Sequence, residues 1–195
     1  MNLLNYRLLW LLLTAVPGLA QPVVDGLGPF RVGVTTPDSL SRVLFREDDP
    51  PLVNGTIALT CHHIRLFSAA SVPTAGTTLH HVVLAFYDGT LLAVSCDWTD
   101  SLAATFRQQH GPGVEEPERR VPVCTTRPDE PARLQRWGWT TGDVRAVASR
   151  VSGLAADCRP LRMARLIIVS QWLAGLSSDC ALPVLDPFAE VVGPP

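Results

Sequence analysis

Five cysteines carry the clearest chemistry in this sequence: Cys61, Cys96, Cys124, Cys158 and Cys180. All five are disulfide candidates. An odd number leaves at least one thiol outside intramolecular pairing. In a secreted chain that leftover points to an intermolecular disulfide or a free thiol. The plainer reading is a buried, inert cysteine acting as a small hydrophobe. Cys61 and Cys96 close predicted strands, where a bridge inside a sheet is open to them. Cys158 and Cys180 flank the last predicted helix, and either is placed to tie it down.

Histidine and carboxylate chemistry is weaker. His62-His63 and His80-His81 are the histidine pairs. Neighbouring residues on a strand point to opposite faces, so each pair offers one ligand per face. No metal site and no cofactor are predicted. Glu115, Glu116 and Glu118 sit in a Gly/Pro-rich loop beside Arg119-Arg120 and read as a solvated charge run. The sequence holds no Gly-x-Ser-x-Gly, His-Glu-x-x-His, phosphate-binding glycine loop or Cys-x-x-Cys. A non-enzymatic protein is therefore expected. Trp137-Gly138-Trp139 places two large rings around a glycine. Two such rings do not easily enter one core, so Trp137 and Trp139 are interface candidates, with core packing the alternative.

Residues 1–20 have one charge, Arg7, then an apolar run and Pro17-Gly18-Leu19-Ala20. This is the layout of a secretory signal peptide cleaved after Ala20. It predicts an oxidising compartment, where disulfides form. Asn54-Gly55-Thr56 is then an N-glycosylation acceptor. No later segment is apolar and long enough to span a bilayer, so membrane contact is expected only through a partner.

Residues 21–195 read as one domain of class α+β. The Pro/Gly-rich stretch 21–56 is predicted as an extended arm, with one short helix at Pro37–Phe45. Residues 57–110 form a small antiparallel sheet with a helix. Within them, His81–Tyr87 and Thr90–Cys96 flank Asp88-Gly89, the signature of a type I′ hairpin. A helix follows, capped by Thr99 or Asp97, burying Leu102, Ala103 and Phe106, and ended by Gly111-Pro112-Gly113. Residues 111–140 are predicted as a loop with a short strand near Arg120–Cys124. Thr141-Gly142-Asp143 starts a segment in which Val144, Val147, Val151 and Leu154 recur at helical spacing, and Pro160–Leu176 starts with a helix-favouring proline and carries Trp172 on its apolar side, so 141–182 are predicted as helices. Residues 183–195 form a tail.

The chain has 195 residues, 16 basic against 18 acidic groups, and a net charge of -2. No basic excess points to nucleic acid. Every basic residue is Arg and none is Lys, which fits a GC-rich genome.

The hairpin, Trp98 and the helix in VVLAFYDGTLLAVSCDWTDSLAATF resemble a chemokine-like core. The chain lacks the close N-terminal cysteine pair of true chemokines and continues well past the helix. Three stretches resemble herpesvirus envelope glycoprotein L of the betaherpesvirus, cytomegalovirus-like type. They are VGVTTPDSLSRVLFREDD in Arg31–Asp49, FRQQ and ERRVPVCTT in Leu102–Thr126, and DCRPLRMARLIIVSQWLAGL in Asp157–Leu176. The last is similar to that family's C-terminal helix. The family's cysteine pair near the mature N-terminus has no counterpart, since the first cysteine is Cys61, so no partner-linking cysteine is carried over.

The resemblance implies a chemokine-like core in a secreted subunit that binds viral glycoprotein H and possible further envelope subunits. Such a subunit supports its partner's folding and transport to the surface. It then takes part in engagement of a host receptor and in membrane fusion as the virus enters a cell. The implied location is the secretory pathway, then the virion envelope and host cell membrane. The competing expectation is a secreted chemokine-like or MHC-like immune decoy. The MHC-like form requires a second good hairpin, which residues 111–140 do not offer in sequence.

Overall fold

The computed structural model describes residues 23–182 and 185. The predicted signal peptide and most of the predicted tail lie outside the described residues. Two short strands, β1 (Gly26–Leu27) and β2 (Phe30–Arg31), pair with each other. The main sheet is built from β3 (Arg46–Asp48), β4 (Ile64–Thr74), β5 (Thr77–Tyr87), β6 (Thr90–Asp97), β7 (Val114–Glu115), β8 (Arg119–Val121), β9 (Ala132–Thr141), β10 (Val144–Leu154) and β11 (Pro160–Ser170). Helix α1 (Asp100–His110) follows β6, and α2 (Gln171–Leu176) follows β11.

The strand order is β3-β4-β5-β6-β11-β10-β9-β7, with β8 also on β9, and all pairings are antiparallel. Two meanders, β4-β5-β6 and β9-β10-β11, join through β6 and β11. The class is mixed α+β, but the sheet dominates it.

The predicted hairpin is present. Asp88 and Gly89 have φ of 44° and 80°, the two positive values that a type I′ turn demands. The helix after it is present too. Thr99 Oγ1 accepts from the Leu102 amide at 3.2 Å, and Leu102, Ala103 and Phe106 are buried. This helix packs on one face of the sheet, against Leu84, Val94, Leu166 and Ile168. Helix α2 lies on the other face, with Leu173 in the cluster of Ala85 and Ala93. Near-neighbours on a strand face opposite ways, which separates the two layers.

Four expectations need correction. Residues 141–182 are not mainly helical: they form β10 and β11, and only Gln171–Leu176 is α-helix. The valine spacing misled because the middle of both strands is buried on both faces. Ala146, Ala148 and Leu166 fill one side; Ser149, Val151 and Ile167 fill the other. Such strands lose the in-out alternation that marks a half-buried strand. The stretch Asp157–Leu176 is thus a strand followed by one short helix. Residues 111–140 are not simply a loop, since they hold β7, β8 and β9. The arm carries a 3-10 turn at Pro37–Ser39 rather than a helix to Phe45. With nine strands, the sheet is not small.

Gly153 marks where the second meander is tightest. A Cβ there would lie 2.6 Å from the Ala132 Cα, and its φ is +146°. Only glycine allows that approach without displacing backbone.

Candidate functional site

The cysteines resolve into two bridges and one thiol. Cys61 pairs with Cys180 across 119 residues, and Cys124 pairs with Cys158 across 34. The pairing Cys61–Cys96, open on sequence grounds, does not form. Cys96 is the free cysteine, with 0% exposure in the centre of the sheet. Burial pushes its thiol up to about 12, outweighing the Arg165 charge that lowers it. A thiolate is the reactive form, so this group is inert at neutral pH. The leftover cysteine is therefore the buried kind and is not placed for an intermolecular bridge.

The histidine pairs do not face each other. His81 Nδ1 lies 2.6 Å from Asp97 Oδ2 on the exposed side of β5. His63 Nε2 lies 3.5 Å from Cys180 Sγ, and its ring meets Tyr87 edge-on. Cys61, His63 and Cys180 are the donor cluster nearest to a metal site among the described residues. Their two sulfurs are bonded to each other, so they offer no thiolate while the bridge stands. Glu116 and Glu118 form exposed pairs with Arg145 and Arg120, as a solvated charge run does.

Trp137 and Trp139 are two residues apart on β9 and so share one face. That is how both rings meet the same core. Trp139 packs edge-on against Phe106 and donates its Nε1–H to the Gly111 carbonyl at 3.0 Å. It is buried, which corrects its assignment as an interface candidate. Trp137 is half-buried, and the Arg107 guanidinium lies over its ring at 5.2 Å.

Among the described residues the exposed tryptophan is Trp172 on α2, at 67% exposure, although sequence placed it on a buried side. Leu176, one turn on, is also exposed. Three groups fix this helix. Ser170 Oγ accepts from the Leu173 amide at 3.1 Å. Asp143 Oδ1 accepts from the Trp172 amide at 2.8 Å. The Asp143 carbonyl accepts from the Gln171 amide at 3.0 Å. Asp143, predicted to start a helix of its own, sits in the β9–β10 turn and caps α2 instead.

The segment after α2 is stitched to the loop 51–60. Val53 bridges Cys180, the Asn54 amide donates to the Asp179 carbonyl at 2.7 Å, and the Ala181 amide donates to the Leu52 carbonyl at 2.8 Å. That loop exposes Leu52, Leu59 and Ile57, the last at 94%. Asn54 is exposed in the same loop, and its Nδ2 donates to the Ser178 carbonyl at 2.9 Å. One end of the molecule thus joins exposed apolar side chains, the exposed Asn54 and the long-range disulfide. Large apolar residues grouped on a surface mark an interaction site.

At a significant level the chain matches no protein-family model, no curated protein and no solved structure. No helix among the described residues is long and apolar enough to cross a membrane. The two disulfides fit an oxidising compartment.

Proposed function

We propose that this chain is a secreted, non-enzymatic subunit of a viral envelope glycoprotein complex. It binds glycoprotein H, supports that partner's folding and transport, and takes part in receptor engagement and membrane fusion. The observation that carries the reading is the order of the three stretches similar to glycoprotein L between Arg31 and Leu176. Support also comes from the meander β4-β5-β6 with α1 packed over it, the plan of a chemokine-like core. The exposed Trp172, Leu176, Ile57 and Leu59 give such a subunit apolar side chains to bury against its partner.

The immune-decoy reading draws on one specific observation. The meander β9-β10-β11 supplies the second hairpin that an MHC-like platform requires. Against it, α1 and α2 lie on opposite faces, so no groove runs between them.

Co-expression separates the two. Expressed alone, the subunit is expected to be retained; with glycoprotein H it is secreted or displayed as a complex. Trp172→Ala should weaken that complex without changing the fold. Efficient secretion alone as a stable monomer, with no capture of glycoprotein H, would sink the reading.

A further inference from the structure

One register in the sheet works against its own stability. Arg120 on β8 stands directly opposite Arg133 on β9. Arg133 is opposite Ser152 on β10, and Ser152 is opposite Arg162 on β11. Three arginines and a serine therefore form one row across four strands. At the usual strand spacing the row spans about 14 Å. Arg150 lies two residues from Ser152 on β10 and so shares its face. Like charges directly opposite in a sheet are destabilising, so packing does not account for this row.

Local acids cancel it only in part. Arg120 pairs with Glu118 at 2.9 Å, and Arg150 with Asp100 at 3.1 Å. Glu130 and Asp157, in the loops at this end of the sheet, are engaged by Arg127 and Arg159. Arg133 and Arg162 are exposed and have no ion pair among the described residues. An open cavity of about 480 Å³ is lined by Arg150, Val151, Ser152, Arg162, Met163 and Ala164.

We infer that this row is a binding site for a sulfated glycosaminoglycan. A linear polyanion lays successive acidic groups along a row, and each guanidinium presents a fork of donors to a sulfate, as it does to phosphate. The Ser152 hydroxyl adds a neutral donor in the middle. Anionic lipid headgroups offer similar charge, but they concentrate on the cytoplasmic leaflet. A chain with two disulfides meets sulfated glycans outside the cell instead. The inference holds whether or not glycoprotein H is the partner, because it uses neither α2 nor the loop 51–60.

The test is binding of the full secreted chain to immobilised heparin at about 0.15 M salt. Fully desulfated heparin, which keeps its carboxylates, and phosphatidylserine vesicles serve as competitors. Wild type should bind, and neither competitor should displace it. Arg133→Ser with Arg162→Ser should weaken binding by about tenfold or more, as loss of charge-assisted hydrogen bonds requires. The charge-matched control Arg42→Ser with Arg46→Ser, at the opposite sheet edge, should change it by less than about twofold. The row variant should melt no lower than wild type, since it removes repulsion. Passage of wild type through heparin overturns the proposal. So does displacement by desulfated heparin or vesicles, or an equal loss in the control variant.

Discussion

Cys96 shows how far a residue's meaning depends on where the chain puts it. As the odd cysteine of a chain expected to be secreted, it pointed outward to a partner. In the fold it lies under α1, opposite Leu166 on the neighbouring strand. The sequence counted the leftover thiol but held no signal for which cysteine it was, because pairing depends on strand order. Two outcomes follow. Cys96 should resist alkylation in the native protein and react only when the chain unfolds, which mass spectrometry of pulse-labelled protein would detect. Its raised pKa also fixes a pH dependence. Between its ordinary value of 9.0 and about 12, the unfolded chain has lost the proton and the folded chain keeps it. Stability should therefore fall as pH rises through that window, and Cys96→Ala should flatten the fall in denaturant titrations.

At the scale of elements, local chemistry was legible wherever a turn or cap imposed it. Asp88-Gly89, Thr99 and Gly111 named a hairpin and a helix because each supplies a conformation or an acceptor that the backbone cannot replace. The second meander was illegible for the opposite reason. The middle of β10 and β11 is covered on both sides, and β10 is built largely from Ala, Ser and Val, whose order satisfies a helical spacing as well as a strand. Arg159-Pro160 fits a helix start, and here it begins β11. The clue that survived was Trp137-Gly138-Trp139, whose period of two is a strand period. The apolar surface around α2 was hidden by the same misreading, since a long helix would have turned Trp172 inward. Asp143 now tests the corrected view. Asp143→Ala should cost about 1 kcal/mol through loss of the cap. Amide exchange should speed up at Trp172 and Leu173 rather than along 144–154, where a cap on a helix in that segment would have acted.

For the whole molecule, the two disulfides brace the same face of the sheet at separate places. Cys61–Cys180 belongs to the cluster under α2, and Cys124–Cys158 anchors the loops beside the cluster of Leu134, Val151 and Met163. Removing the first by Cys61→Ser with Cys180→Ser should cost about 3–5 kcal/mol, and removing the second somewhat less, about 2–4 kcal/mol, because its loop is shorter. Chemical denaturation under non-reducing conditions measures both. The first loss should also free the segment bearing Asn54 and Leu52, so proteolysis near Asn54 should appear in that variant alone.

The joining of β6 to β11 has a further consequence in time. The residues that bond across this seam, such as Asp97 and Arg165, are separated by 68 positions. Cys61 waits longer still, across 119. A ribosome adding about 5–20 residues per second takes roughly 6–24 s to bridge that second gap. Cys61 keeps an unmated thiol throughout that interval, and the nascent β6 keeps an open edge for the shorter part of it that β11 takes to arrive. Both are features that invite chaperones and oxidoreductases. The first half of this protein is thus made with an unpaired strand edge and an unpaired cysteine, and each is completed only by the last third of the chain.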